Sequence, residues 1–371
     1  MKPMITFLFI CSLVSYTHVF DSTYAAVLDK EQVTFYPTYG HKEGDIWVIP
    51  MRVWVHERRG LAEKLLAKTA TSMGNLDSKE TENFRLRIQD FVADSESHEV
   101  VTFKFDNDLE NQAYRLQNGH ETFPKTDLNG LIEGMIKIPV TKASDLLSRQ
   151  GSQNGWLTYR AAEKEHSGTG RVRLIEPTGL SVISDIDDTM KITEIPAGLK
   201  VVVRNTFFRD FMAAPEMAKM YQGWNDASFH YVSGSPWQLY GPLSQFLFSE
   251  KGGFPEGTFH MKNVRKNLLS PNTWEDLQEL VTNENTTFEQ KVAQISEIMQ
   301  RFPARKFILV GDSGEKDPEV YREIKQRFSD QVQEIRIRDV VNDREKNKSR
   351  LEGMTVIQAP TVIRGVSHFG N

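Results

Sequence analysis

Residues 180–189 read Leu-Ser-Val-Ile-Ser-Asp-Ile-Asp-Asp-Thr. Leu180 to Ser184 is a short apolar run of the kind that forms a buried strand, and it ends on acid. Asp185, Asp187 and Asp188 fall within four positions. Carboxylates packed this closely repel one another, so the cluster needs a proton or a cation to hold it. Mg²⁺ suits such a site, because it takes carboxylates together with water and phosphate oxygens. The plainer reading is an acidic turn that caps the next helix. The position favours the first reading, since parallel α/β sheets bind ligands beyond the carboxyl ends of their strands.

Working outward, three further apolar runs read as strands: Ser228–Val232, Lys306–Val310 and Val332–Arg338. Helical patterns separate them. Ser235-Pro236 followed by Gln238 reads as an N-cap, a first-turn proline and a capping partner, and Thr286-Thr-Phe-Glu289 as a capping box. The helix after it carries Phe288, Val292, Ile295, Met299 and Phe302 on one stripe. Strands alternating with helices predict a parallel sheet covered on both faces.

Two of these strands also end in polar residues. Val310-Gly-Asp-Ser-Gly-Glu-Lys-Asp317 places Asp312 directly after a buried strand and Asp317 five positions on. Asp317-Pro318 has a simpler use as an N-cap and first-turn proline. Tyr231-Val-Ser-Gly-Ser235 ends in small hydroxyls. With Ser235 assigned to the cap, Ser233 is the one available for a ligand. For a cation, Lys291 lies one turn into its helix and off the apolar stripe. Lys306 opens its strand at the end remote from Asp312, so Lys291 is the preferred candidate.

Upstream the pattern differs. Residues 33–57 alternate apolar and polar residues in Ile46–Ile49 and Arg52–His56, predicting two strands joined by turn residues Gly40 to Gly44. Strand-like runs recur at 99–105, 134–139, 156–159 and 171–175, with one helical interruption at 77–92. This spacing predicts a β-sandwich-like domain over 27–175, before an α/β domain over 176–371.

The first residues have a positive Lys2, an apolar run from Ile5 to Val14 and small residues at Thr23-Tyr-Ala25. That is the grammar of a secretory signal peptide over 1–25, the alternative being an uncleaved anchor. The chain is then expected to be exported, periplasmic or secreted. Cys11, the single cysteine, lies in this leader, so the mature chain has no thiol chemistry. The net charge is -5 over 371 residues, which argues against a broad nucleic-acid footprint. The nine histidines form no H-E-x-x-H zinc motif, and no Walker-type loop occurs. Neither zinc nor ATP is expected.

Taken in order, D-x-D-x-T, a strand-ending serine, a lysine and G-D-x-x-x-x-D resemble the haloacid dehalogenase (HAD) phosphatase superfamily. The blocks VISDIDDTMKIT (182–193), YVSGSPWQLYGPLSQFL (231–247) and FPARKFILVGDSGEKDPEVY (302–321) look like those of the actin-patch-type phosphatidate phosphatases. The resemblance extends to GRVRLIEPTGLS upstream and is strong over 170–340. It implies a HAD-like Rossmannoid sheet with flanking helices.

The resemblance also implies the roles. Asp185 would be the nucleophile and form an aspartyl-phosphate, with Asp187 the general acid and then base. Thr189 would brace the loop. Asp185, the Asp187 carbonyl and Asp312 would hold Mg²⁺. Ser233 and Lys291 would bind phosphoryl oxygens, and Asp317 would orient the lysine or a metal-bound water. The family's lysine usually follows histidine, whereas here Gln290 precedes it.

Phosphatidate, a phosphorylated lipid met at a membrane surface, is the implied substrate. No protein partner is inferable. A phosphatase of soluble phosphomonoesters and a silent lipid- or protein-binding scaffold are the alternatives. The insert 194–227 carries Phe207, Phe208, Phe211, Met212, Met217, Met220, Tyr221 and Trp224. It reads mainly as helix packing, or else as an apolar lid with Lys200, Arg204 and Arg209 toward anionic head groups.

Overall fold

The computed structural model describes residues 31–58, 65, 76–119, 122–263, 276–277 and 284–359. The expected leader lies outside the described residues, as does most of 264–283. Among the described residues no helix is long and apolar enough to cross a membrane.

The described residues begin with β1 (Glu31–Phe35), β2 (Thr38–Glu43) and β3 (Ile46–Glu57), followed by α1 (Ser78–Ile88) and the strands β4 (Asp94–Ser95), β5 (Thr102–Phe105), β6 (Tyr114–Arg115) and β7 (Leu131–Pro139). Helix α2 (Val140–Arg149) leads into β8 (Trp156–Ala161), β9 (His166–Ser167) and β10 (Thr169–Leu174). These strands join in one ten-stranded sheet. Its two halves share a core in which Phe35 packs edge-on against Phe103 and Tyr159. The region is β-rich, as its alternation implies. The turn expected over Gly40 to Gly44 is shorter, with β2 running to Glu43. Gly40 sits inside that strand because Leu174 crosses it: a Cβ there would lie 2.7 Å from Leu174 Cδ2. Helix α2 escaped the pattern reading, its apolar face being Ala143 and Leu146.

A second sheet follows: β11 (Leu180–Ser184), β12 (Ser228–Pro236), β13 (Thr258–Lys262), β14 (Lys306–Asp312), β15 (Val332–Asp339) and β16 (Thr355–Gln358). Every pairing in it is parallel. The spatial order is β13-β12-β11-β14-β15-β16, so the winding reverses between β11 and β14. Sheets of this order bind ligands at that reversal, beyond the carboxyl ends.

Alternate side chains serve two cores. Val182, Ile308 and Val310 face one; Ile183, Leu309 and Ile337 face the other. The helices of this half are α3 (Leu199–Val203), α4 (Met217–Gln222), α5 (Tyr240–Leu247), α6 (Glu284–Arg301), α7 (Asp317–Arg327) and α8 (Asp343–Lys346). The α6 stripe packs as its spacing predicts, with Ile295 and Met299 buried against Val320 and Ile324 of α7. Two cap expectations fail. Helix α6 starts at Glu284, so Thr286 lies inside it. Strand β12 continues through Ser235 to Pro236, and Ser235 makes no capping bond.

Helix α1 joins the halves. Asp77 caps it in a full capping box with Glu80. Phe84 stacks on Phe208 at 4.7 Å. Asn83 donates to the Phe208 carbonyl, and Arg87 to those of Thr206 and Arg209. Tyr36 adds a ring contact to Trp237 at 4.3 Å.

Candidate active site

The reversal point positions the site. β11 and β14 are hydrogen-bonded neighbours, with Ser184 paired to Val310, so the residues after them emerge side by side. Asp185 leaves β11 with its N–H donated to the Val310 carbonyl. Asp312 closes β14. Gly311 before it is required by close approach: a Cβ would lie 2.4 Å from Asp317 Oδ2.

Lys291 binds these acids together. Its Nζ lies 2.8 Å from Asp185 Oδ1, 2.6 Å from Asp317 Oδ1 and 3.5 Å from Glu315 Oε2. Burial works against its charge, but Asp185, Asp317 and Glu315 outweigh that and hold the ammonium well above its usual range. Lys306 instead donates to the Asp330 carbonyl at the other end of β14. Asp317 opens α7 without a capping bond; its carboxylate takes Lys291 and the Asp312 N–H.

Asp185 and Asp312 are fully buried. Burial, only partly offset by Lys291, raises Asp185 well above the carboxylate range. Burial, with Asp317 and Asp185 beside it, does the same to Asp312. Glu315, unremarked in the sequence, is raised to about 7 by burial against the pull of Lys291. A cluster so costly to ionise calls for a cation. Carboxylate oxygens of Asp185, Asp312 and Asp317 lie within 4.8 Å of one another. Asp185 Oδ2 is buried with no hydrogen-bond partner. The donors are hard oxygens and one is left over, so the residues fit Mg²⁺. Asp317 joins this set as a third carboxylate beside Asp185 and Asp312.

Asp187 occupies a different environment. Its Oδ1 takes Lys191 at 2.7 Å and Thr193 Oγ1 at 2.6 Å; its Oδ2 takes Ser235 Oγ at 2.8 Å and Ser233 Oγ at 3.4 Å. Burial pushes its carboxyl up, but Lys191 and the hydroxyls prevail and hold it below the usual range. Ser235, read as a cap, is thus a direct partner of Asp187. Ser233 lies beside it, accepting the Ser235 N–H at 3.0 Å. Thr189 reaches Asp312 Oδ2 at 3.4 Å. Asp188 points away: its carboxylate accepts the N–H groups of Thr193, Glu194 and Ile195 and closes the loop as a turn. In the strand-end cluster, then, Asp188 plays the structural part that the plainer reading gave to all three acids.

One other expectation is corrected: Arg204 is paired with Glu80 of α1 and is not left for a head group. Most of the aromatic insert packs in the core as its main reading expects, with Phe207, Phe208, Met217 and Tyr221 buried. A groove lies beside the acids rather than over them, along Asp188, Ile192, Pro196, Arg338 and Val341.

Comparison with known proteins bears on the same segment. Residues 180–339 match the family described as the catalytic domain of phosphatidate phosphatase APP1. The phosphatidate phosphatase APP1 of Saccharomyces cerevisiae is 33% identical over 177 residues, 46% of this chain and 28% of that protein. Residues 180–339 thus resemble the APP1 catalytic domain. An uncharacterized protein of Schizosaccharomyces pombe is 30% identical over 183 residues, 46% of this chain and 27% of its own length. The chain spans a little over a quarter of these curated relatives. Within the APP1-type segment lie Asp185, Asp187, Thr189, Ser233, Lys291, Asp312 and Asp317. Lys191, Thr193, Ser235 and Glu315, which the sequence reading passed over, lie in it too.

Proposed function

We propose that the chain is a Mg²⁺-dependent phosphatidate phosphatase of HAD type, releasing diacylglycerol and phosphate. The observation that carries the reading is Asp185: a buried carboxylate, one oxygen on Lys291 and the other unpartnered, at the winding reversal of a segment matching the APP1 catalytic domain.

Asp185 attacks phosphorus, forming its own O–P bond as the bond to the glycerol oxygen breaks. Asp187 gives a proton to that leaving oxygen, then takes one from the water that cleaves the aspartyl-phosphate. Phosphate departs and the Asp185 carboxylate is restored. Lys191, Thr193 and Ser235 keep Asp187 ionised at rest, the form the base step needs. An incoming phosphate dianion favours its protonated form, the one the acid step needs. Lys291 and Ser233 hold phosphoryl oxygens and offset the charge that builds there. Asp185, Asp312 and the Asp187 carbonyl would hold Mg²⁺, with Asp317 beside them. Bound there, the ion would neutralise clustered charge and polarise a phosphoryl oxygen.

We extend the reading to an exported enzyme on the strength of the leader-like composition of residues 1–25. The N-terminal residue of the protein recovered from expressing cells tests this part.

The main test is phosphate release by the purified protein with Mg²⁺ and with EDTA. Phosphatidate micelles and a soluble aryl phosphate are compared, with Asp185→Asn as control. Mg²⁺-dependent release selective for phosphatidate, lost in the variant, is expected. Equal or faster turnover of the soluble ester would point to a general phosphatase instead. No release from either would favour the scaffold reading.

A further inference from the structure

Among the acids, Lys291 and Lys191 are each committed to a carboxylate. A further cation reaches the cluster from a strand that the proposed chemistry does not use. Arg338 stands near the end of β15, in register with Asp312 of β14. Its side chain is buried, at 3% exposure. Nη1 donates to the Asp188 carbonyl at 2.7 Å. Its own carbonyl accepts the Ser313 N–H at 3.0 Å. One residue therefore touches both acidic loops, the one after β11 through its side chain and the one after β14 through its backbone.

Asp188 is the pivot of the first loop. It has φ 53°, in the left-handed region that costs energy for a residue with a Cβ. Its N–H donates to the Lys191 carbonyl at 2.7 Å, and its carboxylate takes three N–H groups from 193–195. Those bonds all stay within the loop. The carbonyl alone of these groups is bonded to another strand, and Arg338 holds it. A guanidinium keeps its charge when buried, and its planar fork fixes direction as well as distance. Lysine at 338 would supply charge without that geometry.

We infer that Arg338 is a positioning residue: it locks the turn at Asp188 and so fixes Asp185 and Asp187 relative to Asp312. The inference deepens the proposed function and rests on it for its kinetic readout. Misplacing reacting groups by about 1 Å costs on the order of 10²-fold in rate. Arg338→Met should therefore lower kcat on phosphatidate by about that factor. KM should stay near that of the unmodified protein, because the phosphate contacts at Lys291 and Ser233 are untouched. Arg338→Lys should fall between. Ethylguanidinium at millimolar concentration should restore part of the rate to Arg338→Ala, and not to Asp185→Asn.

A second readout needs no turnover. In Arg338→Met, hydrogen exchange should quicken at the amides of 188 and 193–195 while those of β14 and β15 stay protected. Unchanged exchange at those amides would overturn the inference. So would exchange that quickens across the whole of β14 and β15, since Arg338 would then be holding the sheet and not the turn. A loss carried by KM with kcat unchanged, or a loss of kcat that ethylguanidinium does not partly restore, would also count against it. If the unmodified protein releases no phosphate, the proposed function fails, and exchange alone decides Arg338.

Discussion

Lys291 is where the repulsion among the strand-end acids is offset. Three carboxylates face its ammonium, and two of them lie within 2.8 Å. Removing one member of a buried ion pair costs about 3–5 kcal/mol, because the other stays uncompensated. Lys291→Met should therefore lower stability to urea by that order, and phosphate release by on the order of 10²–10³-fold. Unchanged turnover in a folded variant would remove Lys291 from the chemistry. Gly311 makes a steric prediction. A methyl there meets the Asp317 carboxylate and the Tyr321 ring at 2.4 and 2.7 Å. Gly311→Ala should displace Asp317 from Lys291 and abolish release, while Gly119→Ala, with open space around it, should retain it. Asp185, Lys291, Asp312 and Asp317 were legible because each follows a strand or breaks an apolar stripe. Lys191, Thr193 and Ser235 were not. Their part depends on how the loop after Asp185 folds back on Asp187, which no local pattern announces.

Strands β11, β12, β14 and β15 of the parallel sheet were legible because each is a short apolar run bounded by polar turns; β13 and β16 were not. The strand order was not, since it depends on which run pairs with which. Strand β13 was missed because it hides its polar positions: His260 and Thr258 look solvent-facing in sequence, yet Thr258 is buried, His260 is half-buried, and the two form a hydrogen-bonded pair at 2.9 Å. Helix α1 was legible as a helix, but its partner was not. Its Arg87 crosses to the other half of the chain, donating to two carbonyls and stacking over Phe211 at 3.6 Å. The segment it clamps runs on to Met212 and Ala214, which bond the loop at Ile192 and Met190. Charged hydrogen bonds of this kind contribute about 1.5–3 kcal/mol each. Arg87→Met should thus lower the unfolding midpoint and slow phosphate release, although its side chain is remote from Asp185. Unaltered kinetics in a destabilised variant would confine α1 to a scaffolding part.

At the scale of the whole molecule, acid is the expected weakness. His230 is buried and His260 half-buried in the second sheet, sharing the Thr258 hydroxyl. Burial pushes His260 down to about 4, against a smaller opposing pull from Glu297. Burial, with His260 nearby, holds His230 well below its usual value. Both are neutral when folded and take up a proton on unfolding near the ordinary value of about 6.5. Their stabilisation is full above that pH and drains away as pH falls toward about 4. Each histidine can contribute a slope of at most about 1.4 kcal/mol per pH unit across that window. Thermal melts between pH 7 and 4, on the order of the two limits just named, should show the midpoint falling more steeply than in His260→Gln. Parallel curves for the two proteins would refute this. No composition argument could have found the effect, because nine scattered histidines carry no sign of which are buried.

The order in which the site's parts occur along the chain has a consequence for synthesis. Asp185 and Lys291 are 106 residues apart, and Thr189 and Asp312 are 123 apart. β11 lies at the centre of its sheet, yet its neighbour β14 is translated long after β12 and β13. A chain still attached to the ribosome therefore presents the nucleophile's strand with one edge open and its counter-charge unmade. Contacts closed over such distances form slowly. The acids come together only when β14 and the turn after it arrive, so the activity we propose is withheld until that strand has been made.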